Sequence, residues 1–241
     1  MEATIDRDLL AQKAEELGIS LKDEALDRFE TYARMLVEWN QRINLTAITR
    51  PDEIVIKHFA DSLTVANLLP EGEISLIDVG TGAGFPGVPL GILRSDIKLT
   101  LLDSLNKRLV YLKELCAALE IPATLIHARA EEAGQKQEYR EKFDVAVARA
   151  VAALPILCEY CLPFVKIGGS FIAMKGRQEN SETVAAKSAA SALGGKLTRA
   201  EKIILQNEDE NMERCLLLFD KYKATSSKYP RIAAKIKKQP L

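Results

Sequence analysis

The chain lacks several features that would restrict it to particular classes of protein. Its 241 residues include four cysteines, two histidines and one tryptophan, and no apolar run reaches the roughly 18 residues that a membrane-spanning helix needs. The N-terminal segment is acidic and amphipathic, without the basic and apolar parts of a cleavable signal. We therefore expect a globular, cytoplasmic protein with no membrane partner.

The few cysteines lie in apolar stretches, as is typical of reduced thiols that pack in a core. They are Cys116, Cys158, Cys161 and Cys215. Two of them form a CxxC pair, but there is no second pair, and the two histidines are distant in the sequence. Core packing is therefore preferred over metal binding or redox chemistry, and we expect no metal site.

The stretch from Ile74 to Gly87, ISLIDVGTGAGFPG, combines a buried strand, a glycine-rich turn and the start of a helix. Gly80, Gly82 and Gly84 carry no Cβ, so the chain can turn tightly and a ligand can approach bare peptide groups. Free N–H groups at the start of the following helix add hydrogen-bond donors. The stretch therefore predicts a cofactor-binding loop.

Two cofactors fit this loop. The spacing of Gly82, Gly84 and Gly87 matches the GxGxxG fingerprint of dinucleotide-binding proteins. Asp78, however, places at the strand end a carboxylate that would repel a pyrophosphate and suits the ammonium of S-adenosyl-L-methionine. In the dinucleotide register Phe85 is also too large for close packing of the helix on the strand. We favour S-adenosylmethionine, and an NAD-dependent oxidoreductase stays the alternative.

The order of the elements supports the same choice. Helical periodicity precedes the first strand, and strands then alternate with helices. Helices are predicted near 6–17, 21–42, 52–69, 87–94, 105–120, 151–165 and 178–193, and strands at 74–79, 97–103, 122–127, 143–149, 169–175, 197–205 and 212–219. A polar turn over 207–210 makes the last two strands a hairpin. Five parallel strands closed by an antiparallel pair predict the seven-stranded, Rossmann-like α/β sheet of a class I methyltransferase with a helical N-terminal extension.

We divide the chain into a helical cap over 1–70, a Rossmann-like methyltransferase domain over 71–220 and a basic tail over 221–241. The tail contains lysine and arginine but no acid, and its charge of +7 leaves −8 on the rest of a chain whose net charge is −1. A basic tail on an acidic body predicts a polyanionic partner. A solvated, disordered tail is the alternative.

Three later strand ends carry residues where an open α/β sheet binds its ligands. Asp103 ends the second strand about twenty residues after the glycine loop, where an acid accepts hydrogen bonds from ribose hydroxyls. Alternatively, it caps the next helix, and both roles are possible if Ser104 takes the cap. Ala130 and Glu131 follow the third strand, near the expected place of an adenine ring, although Glu131 equally suits the first turn of a helix. Arg149 ends the fourth strand and is expected to face the site.

The residues after the fourth strand bear on which atom is methylated. Enzymes that methylate exocyclic amino groups place Asn/Asp-Pro-Pro-aromatic there, whereas residues 148–151 of this chain read ARAV. Methylation of a pyrimidine carbon needs a cysteine nucleophile, and neither Cys158 nor Cys161 has a Pro-Cys or Thr-Cys setting. A ring nitrogen with a free lone pair remains, and guanine N7 is such an atom because it has no proton to remove.

The chain contains an ordered set of six short segments. WNQRINLT and KHFADSL come first, followed by DVGTGAGFPG, LLDSLNKRLVYL, ARAEE and FDVAVARAV. Together they resemble the small-subunit ribosomal RNA guanine-N7 methyltransferases, the glucose-inhibited-division B family. The resemblance covers nearly the whole chain, and the basic tail departs from the usual pattern over 232–234. It implies S-adenosylmethionine as cofactor and 16S ribosomal RNA or the small ribosomal subunit as partner; we also expect a monomer.

By this resemblance, Gly80, Phe85, Ala130, Glu131 and Arg149 contact the cofactor, and Asp103 contacts its ribose. The full candidate set is Asp78, Gly80, Gly82, Gly84, Phe85, Asp103, Ser104, Ala130, Glu131 and Arg149. We hypothesise in-line methyl transfer that depends on proximity and orientation, so no catalytic residue is named. A non-catalytic RNA-binding protein on the same scaffold is a further alternative. Lys57 and His58 lie in a segment that the resemblance places toward RNA, and a lone histidine on a helix is more often structural.

Overall fold

The fold was analysed in a computed structural model that describes residues 5–176, 180–206 and 211–241. Its centre is a seven-stranded sheet in the order β3-β2-β1-β4-β5-β7-β6. The strands are β1 (Ile74–Val79), β2 (Ile97–Asp103), β3 (Ala123–His127), β4 (Phe143–Arg149), β5 (Val165–Lys175), β6 (Gly195–Leu205) and β7 (Met212–Lys221). Strands β1 to β5 pair in parallel, and β7 runs antiparallel to both β5 and β6. The predicted fold class is confirmed.

The helices lie before the sheet and between its strands. They are α1 (Arg7–Glu16), α2 (Asp23–Asn40), α3, α4 (Gly87–Leu93), α5 (Asn106–Ala118), α6 (Ala130–Ala133), α7 (Leu154–Cys161), α8 (Asn180–Ala192) and α9 (Ala233–Lys238). We use α3 for three consecutive stretches, Pro51–Glu53, the π-helical Ile54–Ala60 and Asp61–Leu63. Short 3₁₀ turns follow at Ala66–Leu68 and Leu162–Phe164.

Alternation along the strands produces two cores, one on each face of the sheet. Leu76 lies in the core that α1 to α5 cover, whereas its neighbour Ile77 lies in the core beneath α7 and α8. Both residues are fully buried, as expected for parallel strands with helices on both faces. The N-terminal helices therefore share one core with the sheet.

An aromatic cluster joins these helices to the glycine-rich loop. The ring of Tyr32 from α2 stacks on Phe85 at a centroid distance of 5.1 Å, and Phe59 from α3 lies 5.3 Å from Tyr32. The Tyr32 hydroxyl donates to the Ala83 carbonyl at 2.7 Å. The loop after β1 is thus fixed from above by α2 and α3.

The segment after β7 packs against the body of the protein. Tyr229 and Ile236 are buried in the same core as α7. The fully buried Glu159 binds Arg231 through a 2.6 Å contact to Nη2 and also accepts from the Arg231 N–H at 2.8 Å. The disordered alternative for the tail is therefore wrong for residues 229–236.

Most predicted elements agree with the structure within a few residues, and the differences have local causes. Strand β5 begins at Val165 and not at 169, because Val165 already pairs with Phe143 of β4, and the pairing resumes at Ser170 opposite Val145 after an irregularity in the register. Helices α6 and α9 were not predicted as separate elements. The predicted turn over 207–210 and the start of the helix at 178–179 lie outside the described residues.

Candidate functional site

A cavity of about 400 Å³ opens beside the carboxyl ends of β1, β2 and β4. Open α/β sheets bind ligands where the strand order reverses, and here that point lies between β1 and β4. The wall combines residues of three strand ends with residues of the N-terminal helical region. The lining residues are Leu45, Thr46, His58, Gly80, Thr81, Gly82, Ala83, Phe85, Asp103, Ser104, Arg108, Arg149, Ala150 and Val151.

The glycines of the loop after β1 serve two different purposes. Gly82 has φ +61°, and a Cβ there would meet only the Gly80 carbonyl oxygen, at 4.0 Å. Its bare peptide therefore faces open space that a ligand can use. Gly84 has φ +106°, and a Cβ there would lie 2.6 Å from the Tyr32 hydroxyl. Gly84 is needed for packing against α2 and does not line the cavity.

Asp78 lies beneath the loop and holds its shape. Its Oδ2 accepts from the Thr81 hydroxyl and from the Gly87 N–H, both at 2.8 Å. Its Oδ1 is buried with no hydrogen-bond partner among the described residues. Burial raises the pKa of this carboxyl to about 6. The structure therefore gives Asp78 a role in the turn and does not place it on the cavity surface.

Asp103, at the end of β2, presents a carboxylate that neighbouring groups hold in place. Its Oδ2 accepts from the Gly82 N–H at 3.0 Å and from Arg108 Nη1 at 3.2 Å. Its Oδ1 accepts from the Leu105 N–H at 2.8 Å. Because each carboxylate oxygen accepts about two hydrogen bonds, Oδ1 can accept one more. The helix that follows begins at Asn106 with no side-chain cap, so neither Asp103 nor Ser104 takes that alternative role.

Phe85 forms the apolar floor of the cavity. The His58 ring stacks on the Phe85 ring, with the two ring centroids 4.4 Å apart. The Arg149 guanidinium lies 4.8 Å from the centre of the Phe85 ring. A guanidinium over an aromatic face is held by cation–π attraction. Phe85 therefore positions two polar side chains at the cavity wall.

Arg149 is also held by an acid of the N-terminal helices. Its Nη1 donates to Asp61 Oδ2 at 2.8 Å and to the Lys57 carbonyl at 3.2 Å. Arg214 of β7 binds the other oxygen of Asp61 at 2.6 Å. Two guanidinium groups thus share one carboxylate, and of these three side chains Arg149 is the one that lines the cavity. A guanidinium at the cavity wall suits an anionic ligand group.

His58 is an uncharged part of this wall. Burial first, and then the positive charge of Arg149, lower its pKa to about 3. Its Nδ1 lies 3.3 Å from Arg149 Nη2 and its Nε2 lies 2.9 Å from the Thr46 hydroxyl. Both ring nitrogens therefore have polar partners, as the structural interpretation of this histidine predicts.

The structure gathers part of the predicted set around the cavity. Six candidates line it: Gly80, Gly82, Phe85, Asp103, Ser104 and Arg149. Ala130 and Glu131 begin α6, beyond the lining, and Glu131 lies in the first turn of that helix. The role of each residue toward a cofactor stays a prediction.

Several cavity residues were not predicted. Thr46 and Leu45 lie between α2 and α3, and Arg108 lies on α5. The break in helical periodicity at WNQRINLT was a signal for the first two, because a polar loop between helices often carries function. Arg108 had no signal in the sequence beyond its place five residues after Asp103.

The four cysteines lie outside the cavity lining. All four cysteines are free and buried, and burial raises the pKa of each thiol. Within the described part of the chain, no three His, Cys, Asp or Glu side chains cluster closely enough to hold a metal ion. Likewise, none of the helices described is both long and apolar enough to cross a membrane.

Comparisons of this sequence with a family model and with individual relatives agree on one family. The family model for rRNA small subunit methyltransferase G matches residues 25–211. The ribosomal RNA small subunit methyltransferase G of Acetivibrio thermocellus is 47% identical over 98% of this chain and 96% of its own length. That of Alkaliphilus metalliredigens is 46% identical over 97% of this chain and 98% of its own length.

A more distant similarity is visible in solved structures and concerns the fold alone. A branched-chain polyamine synthase from Thermus thermophilus aligns with a TM-score of 0.59 at 10% identity, over 81% of this chain and 64% of that chain. A precorrin-6y C5,15-methyltransferase from Geobacter metallireducens aligns with a TM-score of 0.50 at 11% identity, over 75% of this chain and 92% of that chain.

Proposed function

Because the chain belongs to the rRNA small subunit methyltransferase G family, we propose that it methylates N7 of a guanine in 16S ribosomal RNA. S-adenosylmethionine is the cofactor of this family and, when bound, supplies an electrophilic methyl group. The observation that carries the proposal is the cavity at the switch point of the sheet, which is lined by the glycine loop, the strand-end acid Asp103 and the guanidinium of Arg149. Family membership also sets aside the NAD-dependent alternative.

The cavity residues suit the parts of S-adenosylmethionine. The open peptide at Gly82 allows the close approach of a ligand, and Asp103 Oδ1 can accept a hydrogen bond from a ribose hydroxyl. The positive charge around Arg149 suits the methionyl carboxylate. Asp78 contributes by shaping the loop, and Ala130 and Glu131 are proposed to border the adenine. These are proposals about binding and name no catalytic residue.

The wall of the cavity supports methylation of an atom that needs no deprotonation. Of the described lining residues, Asp103 is the one carboxylate, and it is already bound by three donors. His58 has hydrogen-bond partners at both ring nitrogens. No lining residue is a cysteine, so the covalent route to a pyrimidine carbon has no nucleophile there. Guanine N7 has a lone pair ready to react, and orientation within the cavity is the contribution required of the protein.

The proposal is tested by mapping methylation in cells. Ribosomal RNA from a bacterial strain without the homologous enzyme should lack one N7-methylguanine of 16S rRNA, and expression of this chain should restore it. Mass spectrometry of nuclease fragments locates the base, and cleavage at N7-methylguanine after reduction identifies the atom. Restoration of a methyl group on another atom would refute the N7 assignment. No methyl group on any rRNA, despite calorimetric binding of S-adenosylhomocysteine, would favour the non-catalytic RNA-binding alternative.

A further inference from the structure

Thr46 is the one residue of the loop between α2 and α3 whose hydroxyl joins a hydrogen-bond network and also lines the cavity. The loop is held by Asn40, whose Oδ1 accepts from the N–H groups of Leu45 at 2.8 Å and Thr46 at 3.0 Å. The Thr46 hydroxyl oxygen lies 2.9 Å from His58 Nε2 and accepts from the Ile48 N–H at 3.0 Å. Three hydrogen bonds, one at the backbone nitrogen and two at the hydroxyl oxygen, therefore fix the position of Thr46.

Arg149 determines which nitrogen of His58 carries the proton. A guanidinium has only donors, so Arg149 Nη2 donates across 3.3 Å to His58 Nδ1. The opposite tautomer would point a ring N–H at that guanidinium. The low pKa of His58, about 3, keeps the ring neutral. Nε2 therefore carries the hydrogen and donates it to the Thr46 hydroxyl oxygen.

The direction of the Thr46 hydroxyl hydrogen follows from the same count. A hydroxyl has two acceptor lone pairs and one donor hydrogen. His58 and Ile48 occupy both lone pairs of Thr46, so this oxygen cannot accept a hydrogen bond from a ligand. Its own hydrogen is left to donate, and Thr46 is only partly buried and lines the cavity.

From this network we infer that Thr46 is a specificity-determining residue whose hydroxyl only donates and therefore binds an acceptor oxygen of the ligands in the cavity. The inference rests on the proposed function, which brings two such oxygens there, the methionyl carboxylate of the cofactor and the 6-oxo group of guanine. Adenine carries an amino group at the same position, and its N–H donors would face the hydroxyl donor of Thr46. The relay from Arg149 through His58 thus selects for oxygen.

The test compares ligand ratios within each variant, so that a loss of folded protein cancels. Wild type, Thr46→Ser, which keeps the hydroxyl, and Thr46→Val, which removes it, are titrated with S-adenosylhomocysteine and with its analogue lacking the carboxylate. In a second arm, methyl transfer is measured on 16S rRNA with either guanine or 2-aminopurine at the target position. 2-Aminopurine keeps N7 and the 2-amino group but lacks the 6-oxo group.

We expect Thr46→Val to reduce one of the two ratios and Thr46→Ser to preserve both. If the carboxylate is the acceptor, the affinity ratio falls by about tenfold or more, and if the 6-oxo group is, the rate ratio falls by about fivefold. Wild-type ratios retained in both arms by Thr46→Val would overturn the inference. Failure of the wild type to methylate guanine N7 would instead refute the proposed function, while the binding arm would still test Thr46.

Discussion

Asp61 offers the sharpest test of how the N-terminal helices are coupled to the site. It is fully buried, and its carboxylate binds both Arg149 and Arg214. Asp61→Asn keeps the shape of the side chain but leaves two guanidinium groups facing each other without their shared negative charge. The perturbation therefore acts on electrostatics and changes the volume of the core very little.

The magnitude follows from the burial of the three groups. Breaking a buried ion pair by removing one partner costs about 3–5 kcal/mol. The side chains of Arg149 and Arg214 keep 15% and 22% of their exposure, so water screens part of the repulsion. We therefore expect Asp61→Asn to lower the free energy of unfolding by about 3 kcal/mol. Arg149 should also lose its alignment, and affinity for S-adenosylhomocysteine should fall.

Urea unfolding followed by circular dichroism measures the change, with the slope of the transition checked for two-state behaviour. Asp52→Asn is a matched control on the same helix, because Asp52 pairs with the exposed Arg50 side chain. Exposed ion pairs contribute about 0–1 kcal/mol, so the control should differ little from wild type. If Asp61→Asn were no more destabilising than Asp52→Asn, the shared carboxylate would not couple the helices to β4 and β7.

Three further changes test other parts of the structure. Gly82→Ala should weaken binding of S-adenosylhomocysteine in calorimetry more than tenfold, because its methyl group enters the open space at the glycine loop. The control Gly18→Ala, at a glycine with similar φ and nothing within 4 Å, should cost only about 1–2 kcal/mol of stability. Equal affinities of the two variants for S-adenosylhomocysteine would argue against a ligand at Gly82. Relative to wild type, His58→Gln should gain about 1.4 kcal/mol in the free energy of unfolding per pH unit as the pH falls from about 6 to 4, as measured by urea unfolding. The reason is that His58 gains a proton below its ordinary pKa in the unfolded chain, whereas the folded side chain does not. A difference in stability that did not depend on pH would contradict the lowered pKa. Lys235, Lys237 and Lys238 are exposed, and replacing them by Gln should reduce the slope of log affinity for rRNA against log salt concentration by up to about two units without changing cofactor affinity. An unchanged slope would show that α9 does not contact the RNA.

The structure also shows why the contribution of the tail should be tested by charge replacement. Lys221 is buried, and its ammonium donates to the Leu162 carbonyl at 2.7 Å and to Thr225 Oγ1 at 2.6 Å. Burial lowers its pKa to about 8. Truncation after Asp220 would remove this residue together with the core contacts of Tyr229 and Ile236, and so would confuse loss of RNA binding with loss of folding.

The sequence by itself determined the features that depend on local pattern. Buried parallel strands are short apolar runs, and the predictions at 74–79, 97–103 and 143–149 agree with β1, β2 and β4. The glycine loop and the residues at the strand ends could be placed because an α/β sheet brings the carboxyl ends of its parallel strands to one edge. The positions of Asp103 and Arg149 beside the cavity could therefore be predicted from the topology alone.

Only the tertiary structure decided what those residues do, because their partners are distant along the chain. Asp61 and Arg214 are separated by 153 positions, and no sequence pattern indicates that Arg214 and Arg149 share the carboxylate of Asp61. The position of the proton on His58 and the proposed donor role of Thr46 depend on the contact between Arg149 and His58, which are 91 positions apart. Local sequence could specify the elements of the site, but the direction of each hydrogen bond depends on which groups the fold packs together.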